Sequence, residues 1–168
     1  MKYFRPLLLL FLMITVSSEL NAQRHPRAKA AVRQADKVHA RRVIRKTAFV
    51  ILAAQKQVKQ GKVYTGDLAR AVAHQRLARK LYFRGEFLRA MHQSRRARLL
   101  AIAAIKANKG TETSDMSLEK EDDQVMNDSP VDDATLDKQL DQESPGYSTS
   151  DEDFVDAVLS DIDLSDME

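Results

Sequence analysis

The apolar residues in the middle of the chain recur every three or four positions, which is the spacing of an α-helix. The first such segment, residues 28–59, contains no glycine or proline and is rich in residues of high helix propensity. Phe49 and Leu52 add apolar surface outside its main stripe, so we expect more than one neighbour to cover the middle of this helix. The predicted buried stripe consists of Val43, Thr47, Val50, Ala54 and Val58.

Two further helices are predicted after a break at Gly61. They span residues 67–83 and about 87–108, and Asp67 and Glu86 stand at their starts, where an acidic side chain interacts favourably with the helix dipole. The predicted fold class is therefore all-α: a small basic unit of about three helices, in which a long first helix precedes a helix-turn-helix. The apolar positions expected to face its core are Leu68, Ala71, Val72, Ala78, Leu81, Tyr82, Phe87, Ala90, Met91, Ala97, Ala101, Ile102 and Ile105.

The two helices of this predicted hairpin resemble each other in sequence. Residues 65–81 align with residues 84–100 at a shift of 19 positions, and each segment has a glycine followed by an acidic residue near its start. An internal repeat explains this echo, and so does a shared basic helical composition.

Small and apolar residues stand where two closely packed helices need them, at Leu77, Ala78, Leu81, Gly85, Phe87, Ala90 and Ala97. With Glu86 after the turn glycine, residues 71–104 resemble a single tetratricopeptide repeat. The segment departs from that pattern at His74 and Ser94, where the repeat carries large aromatic side chains. The resemblance implies a helix-turn-helix unit in a family that mostly binds protein segments. Since at least about three repeats are needed for stability, we expect the first helix to cap the unit or the chain to form homo-oligomers.

Charge is divided between two blocks of opposite sign. Residues 23–110 carry 23 basic and 3 acidic side chains, whereas residues 111–168 carry 2 basic and 20 acidic ones. The net charge of +3 is the remainder of these two large charges. We therefore place a boundary at Gly110, between a basic helical domain (23–110) and an acidic tail (111–168).

The acidic tail combines low hydrophobicity with a high net charge, which predicts that most of it is disordered. Residues 151–164 are an exception, because their apolar side chains share one helical face and acids occupy the other. This pattern predicts a short amphipathic helix that folds on binding; the alternative is a solvated tail that acts as a spacer. The residues predicted to dock are Phe154, Val155, Val158, Leu159 and Ile162.

Residues 1–22 have the layout of a secretory signal peptide. A basic start is followed by an apolar run at residues 7–16 and by a polar stretch that ends at Ala22. The apolar run is too short for a membrane span, which needs about 20 residues. We expect cleavage after Ala22, export to the periplasm or the extracellular space, and no stable membrane span.

The chain offers little for catalysis or metal binding. It has no cysteine, which excludes disulfides, thiolate metal sites and a cysteine nucleophile, and it has no HExxH, P-loop or dinucleotide-binding motif. His74 and His92 lie mid-helix and could face each other across the hairpin, but further ligands are scarce and the cationic surroundings repel metal ions. We predict no enzymatic activity, no cofactor and no metal site.

The basic domain is expected to bind polyanions or acidic protein segments, because a high density of positive charge attracts both. The tail is the nearest acidic segment, and its tether gives an effective concentration on the order of millimolar. One predicted function is thus an exported interaction module that binds an acidic protein segment, with its own tail as one candidate. The alternative is an envelope or extracellular binder of anionic glycan, lipid or nucleic acid, whose tail limits nonspecific binding. The predicted binding residues are Arg70, Arg76, Arg79, Arg89, Arg95, Arg96 and Arg98.

Overall fold

The computed structural model describes the backbone of residues 5–164 and the side chains of residues 30–164. The chain divides into two compact units, Met1–Asp36 and Lys37–Glu168. Among the described residues there are α-helices and short 3-10 helices but no β-strand, so the all-α prediction is confirmed. The α-helices are α1 (Arg5–Gly61), α2 (Asp67–Phe83), α3 (Phe87–Ala107), α4 (Lys120–Asn127) and α5 (Asp133–Glu143).

The first unit contains the N-terminal part of α1. Of the predicted signal segment, residues 1–4 lie outside the described residues and residues 5–22 are described only as helical backbone. The export signal therefore stays a prediction. Of the helices that the structure describes, none combines the length and the apolar character needed to cross a membrane.

In the second unit, α2 and α3 begin and end close to where the sequence predicts. The turn between them depends on Gly85, whose φ of 76° lies in the left-handed region that favours glycine. The N–H of Gly85 donates to the carbonyl of Tyr82, and the N–H of Glu86 donates to the carbonyl of Leu81. These two bonds close the end of α2 as a Schellman motif and reverse the chain into α3.

The predicted stripe of α1 is confirmed, since all five of its residues are buried. The middle of α1 is covered by more than one neighbour, the hairpin and the tail, as predicted. Phe49 and Leu52 are not part of this contact, because they are 67% and 43% exposed. The tail approaches this side of α1 with Leu159 and Ile162 but stops at its edge. The result is a cavity of about 360 Å³ beside Phe49 in place of a packed interface.

The predicted disorder of the tail is not confirmed for its described residues, 111–164. This segment forms α4 and α5, and it buries Met126, Leu140 and Phe154 against the helical unit. Composition predicts disorder from the low hydrophobicity and net charge of the tail alone. In the second unit, basic residues such as Arg42, Arg70 and Arg96 pair with those acidic side chains, which neutralises the repulsion that should keep the tail extended.

Residues 151–164 do not form the single amphipathic helix that their pattern predicts. They form two 3-10 helices, Asp151–Asp153 and Ser160–Ile162, with an irregular stretch between them. The Nε2 of Gln55 donates to the carbonyls of Phe154 and Ala157 at 2.5 and 2.9 Å. These carbonyls therefore bond to α1, so a longer helix is not required to satisfy them.

Candidate functional site

The side chain of Asp137, on α5, lies at the centre of the contact between the acidic tail and the hairpin. Arg96 on α3 binds it with two parallel bonds of 2.9 Å, from Nε to Oδ1 and from Nη2 to Oδ2. Arg70 on α2 adds a third bond of 2.6 Å to Oδ2. Burial acts to raise the pKa of Asp137, but the hydrogen bonds and charge of Arg96, with the charge of Arg70, hold that pKa below its usual value.

His74 and Gln93 form the floor of this site. His74 is completely buried, its Nδ1 lies 2.6 Å from the Oε1 of Gln93, and its Nε2 lies 3.1 Å from the Oδ1 of Asp137. Gln93 in turn donates to the carbonyl of Leu136 on α5 at 3.3 Å. Burial is the main reason that the pKa of His74 lies below its usual value. Together with the two guanidinium groups, this floor makes a cradle for one carboxylate.

Buried polar side chains also join the two helices of the hairpin to each other. The Oγ of Ser94 donates to Gln75 at 2.9 Å, and Gln75 donates to the carbonyls of Ile44 on α1 and Ile162 in the tail. Both the Gln75–Ser94 pair and the His74–Gln93 pair are 19 positions apart, which is the shift of the internal sequence echo. His74 and Ser94, the two departures from the tetratricopeptide pattern, thus serve as hydrogen-bonding groups in the interior.

Six of the seven predicted arginines contact the tail. Arg76 pairs with Asp161 at 2.7 Å, and Arg79 donates to the carbonyl of the same residue. Arg89 pairs with Glu143 at the end of α5. Arg95 is the exception: no hydrogen bond or ion pair joins it to another of the described residues. The remaining contacts are those of Arg70, Arg96 and Arg98.

Arg98 differs from the other arginines because it is buried and bonds to neutral oxygens. Its Nη1 donates to the carbonyl of Met116 at 2.9 Å, and its Nε and Nη2 both donate to the Oγ1 of Thr47 at 3.2 Å. Burial lowers the pKa of Arg98 to about 10. This guanidinium ties the start of the tail to α1 and α3 and is not available to an external anion.

A second bound carboxylate, that of Asp151, is buried at the start of α2. Its Oδ2 accepts from the backbone N–H groups of Thr65 and Gly66, and its Oδ1 accepts from that of Ala69, all at 2.9 Å. The three donors include amides that would otherwise be unsatisfied at a helix start. This region of the tail is therefore held by backbone amides as well as by arginines.

A third bound carboxylate, that of Asp122 on α4, contacts α1. Arg42 donates to its Oδ1 from Nη2 at 2.7 Å and to its Oδ2 from Nε at 2.9 Å, while the Nδ1 of His39 lies 2.7 Å from Oδ1. Asp122 has no exposed surface. The sequence does not identify Arg42 or Asp122 as a binding residue. Each has charged neighbours of the same kind in the chain, and only the folded structure shows that these two lie opposite each other.

The five residues predicted to dock the tail are not equivalent. Phe154, Leu159 and Ile162 are buried in the core, and the ring of Phe154 lies under the guanidinium of Arg76 at 5.5 Å. Val155 is partly buried, and Val158 is 88% exposed.

Asp137 and Asp151, each of which accepts three or more hydrogen bonds from the helical unit, are not among the residues predicted from the sequence. The spacing of Leu136 and Leu140 around Asp137 was the one available signal for the first of them. It predicts a short helical face next to this carboxylate. It does not indicate which arginines lie across from it.

Among the described residues there is no cluster of three or more side chains that could hold a metal ion. His92 is buried next to Arg95, and its Nε2 has no hydrogen-bond partner among them. What the arrangement does chemically is bind carboxylates. Those of Asp122, Asp137 and Asp151 each lie among donors of the helical unit.

No protein-family model, no curated protein and no solved structure matches the chain.

Proposed function

We propose that the hairpin α2–α3 is a non-enzymatic binding module for acidic protein segments, and that the chain's own tail occupies this module in cis. The cradle of Asp137 is the observation that carries the proposal. It brings two arginines and a histidine from two helices to one carboxylate that belongs to a sequence-distant segment. Gln93 positions the histidine and also binds the backbone next to that carboxylate. A bidentate arginine pair of this kind is a specific form of carboxylate recognition.

The ligand class is a protein segment and not a small anion, because the carboxylates are bound together with apolar side chains. Leu140 and Phe154 are buried in the two core clusters, close in the chain to the bound Asp137 and Asp151. A free anion would satisfy the donors but would leave that apolar surface in water. Peptide segments supply both kinds of contact along one chain.

The tail and an external segment would compete for the same donors. A tethered segment has an effective concentration on the order of millimolar. An external ligand therefore displaces the tail only if it binds more tightly than the tail or if the contact of the tail is weakened.

The predicted signal segment is part of this proposal: the module would act after export, in the periplasm or outside the cell. Purification of the exported protein and N-terminal sequencing test that part, and the expected first residue is Gln23.

The binding test uses the full-length chain and a labelled synthetic peptide of residues 119–164. We expect wild type to bind the peptide weakly and Asp137→Asn to bind it about tenfold more tightly, because the cis contact loses its central charge while the hairpin is unchanged. Addition of Arg96→Gln to that variant should abolish the gain. Fluorescence anisotropy measures all three affinities.

Asp128→Asn is the matched control, since it removes one negative charge from the same segment at an exposed position. It should leave the affinity as in wild type. An equal gain from Asp128→Asn and Asp137→Asn would show that only net charge matters and would overturn the proposal. The proposal also fails if the Asp137→Asn chain binds the peptide no better than wild type.

One observation favours the polyanion-binding alternative. An open cavity of about 560 Å³ is lined by four basic residues, the exposed ring of Phe83 and one acid, Asp161, which pairs with Arg76. The basic residues are Arg76, Arg79, Lys80 and Arg84. Charge-driven binding of a polyanion weakens steeply with salt, because condensed counterions are released. Heparin retention of the full-length chain that is abolished by Arg84→Gln with Lys80→Gln, but unaffected by Arg96→Gln, would favour this alternative.

A further inference from the structure

We infer that the hairpin α2–α3 binds an acidic amphipathic helix in one register, with the pattern Asp-x-x-Leu-Asp-x-x-Leu-x-x-Glu; this rests on the proposed function. The helix α5 carries the pattern once, and its five residues lie on one helical face at steps of three and one. The external partner is thus a protein that displays such a helix on its surface. The five residues in this chain are Asp133, Leu136, Asp137, Leu140 and Glu143.

The two leucines are the apolar part of the pattern. Leu136 and Leu140 are the buried residues of α5, and Leu140 belongs to the core cluster that contains Leu77 and Leu81 of α2 and Met91 of α3. Residues four apart lie one turn apart on the same face of a helix. Two leucines at this spacing therefore fill the groove between α2 and α3 only if the ligand is helical.

The three carboxylates of the pattern flank this apolar seam and find arginines on both helices. Arg96, which is only 14% exposed, binds Asp133 at 2.8 Å as well as Asp137. At the other end of α5, Glu143 pairs with Arg84 and with Arg89. Ion pairs at both ends of the seam define the position of the bound helix along it.

The register follows from the order Leu-Asp at positions 136 and 137. An exchange of these two residues keeps the composition and the charge of the segment, but it turns the carboxylate towards the apolar seam and the leucine towards Arg96. A buried charge without its partner is costly, and so is a largely buried guanidinium without a carboxylate. Apart from Gln139, which accepts a hydrogen bond from Gln93 at 3.0 Å, the remaining positions of α5 tolerate variation because they face solvent. They are Ala134, Thr135, Lys138, Asp141 and Gln142.

The test uses a full-length chain in which this exchange vacates the groove, the double variant Leu136→Asp with Asp137→Leu. The probe is a synthetic peptide of residues 131–145, compared with the same peptide in which Leu136 and Asp137 are exchanged. Circular dichroism shows whether the double variant keeps its helical unit. If the double variant does not keep its helical unit, the Asp137→Asn chain is used in its place, because asparagine has the same size and shape as aspartate.

We expect the native peptide to bind at least tenfold more tightly than the exchanged peptide and to become helical when bound, as seen by isotope-edited infrared or NMR spectra. Equal binding of the two peptides would overturn the register inference and leave the proposed function standing, since acidic segments would still bind. Absence of binding by both peptides, and by the longer peptide of residues 119–164, would overturn both. Binding of the native peptide without helix formation would also overturn the inference.

Discussion

The carboxylate of Asp151 accepts a hydrogen bond of 2.9 Å from the backbone N–H of Ala69, and so caps a helix whose first turn lies 82 residues earlier in the chain. The N-cap residue of α2 is Gly66, with a φ of 83° and no side chain that could accept a bond. The tail supplies the missing acceptor. Loss of the tail should therefore weaken α2 itself, and not only uncover its surface.

Asp151→Ala should lower the free energy of unfolding by about 1–2 kcal/mol, the usual cost of losing an N-cap. The backbone amides of Thr65, Gly66 and Ala69 lose their acceptor in this variant. Urea unfolding of the full-length chain measures the effect. Glu152→Ala, which removes the neighbouring exposed carboxylate, should change the free energy by less than about 0.5 kcal/mol, and equal losses in the two variants would contradict the capping role.

Phe154→Ala and Val158→Ala test whether an apolar residue in residues 151–164 stabilises the fold by being buried or merely by being apolar. Phe154 is 6% exposed and packs in the core, so its truncation should cost about 3–5 kcal/mol. Val158 is exposed and its truncation should cost less than about 0.5 kcal/mol. Hydrogen exchange at the amides of residues 151–164 should show loss of protection for Phe154→Ala alone. If residues 151–164 formed a helix that buries both side chains, both substitutions would lower the free energy of unfolding strongly, which would contradict the structure described here.

His92 makes the stability of the chain fall in acid. Burial, and after it the charge of Arg95, lower the pKa of His92 below its usual value of 6.5. Below pH 6.5 the unfolded chain takes up this proton more readily than the folded chain, so stability is present above pH 6.5 and is lost as the pH falls. One such group contributes a slope of up to about 1.4 kcal/mol per pH unit.

His92→Gln should flatten this slope between pH 7 and pH 5, as measured by urea unfolding at several pH values. His74 adds a slope of the same sign, because burial lowers its pKa as well. Some pH dependence should therefore persist in the single variant. A slope as steep in His92→Gln as in wild type would show that His92 is not the titrating group.

Arg98→Lys should lower the free energy of unfolding by about 1–3 kcal/mol, although the charge is kept. The guanidinium reaches Thr47 and the carbonyl of Met116 at once, and a lysine ammonium cannot take the place of its planar fork. Arg95→Lys is the control, since Arg95 makes no such bonds among the described residues, and it should change stability by less than about 0.5 kcal/mol. Equal effects of the two substitutions would show that the fork of Arg98 is not needed.

The helical hairpin could be predicted closely from the sequence because its signals are local. Gly85 with Glu86, and Gly66 with Asp67, mark the helix boundaries, and these residues act on the backbone next to them. The buried stripe of α1 could be predicted for the same reason, since a period of three to four residues defines one helical face. Phe49 shows the limit of this reasoning, because apolar character does not say whether a neighbour is present to cover it.

The cradle of Asp137 could not be predicted, although its arginines were among the candidates. Arg95 and Arg96 are adjacent and chemically identical in sequence, yet Arg96 binds two carboxylates and Arg95 binds none of the described ones. The difference depends on which side of α3 faces α5. That in turn depends on how the tail crosses the hairpin, which no local signal encodes.

What the sequence determined by itself was the helical character of residues 28–108 and the division of charge at Gly110, because helix propensity, periodicity and net charge are properties of local segments. The tertiary structure alone decided that the described part of the acidic tail folds onto the helices, and that Asp122, Asp137 and Asp151 are its main polar anchors. A carboxylate is stabilised by the donors around it, and here those donors come from residues far away in the chain. The net charge of +3 therefore gives no indication of the specific contacts that form when the basic helical domain and the acidic tail fold against each other.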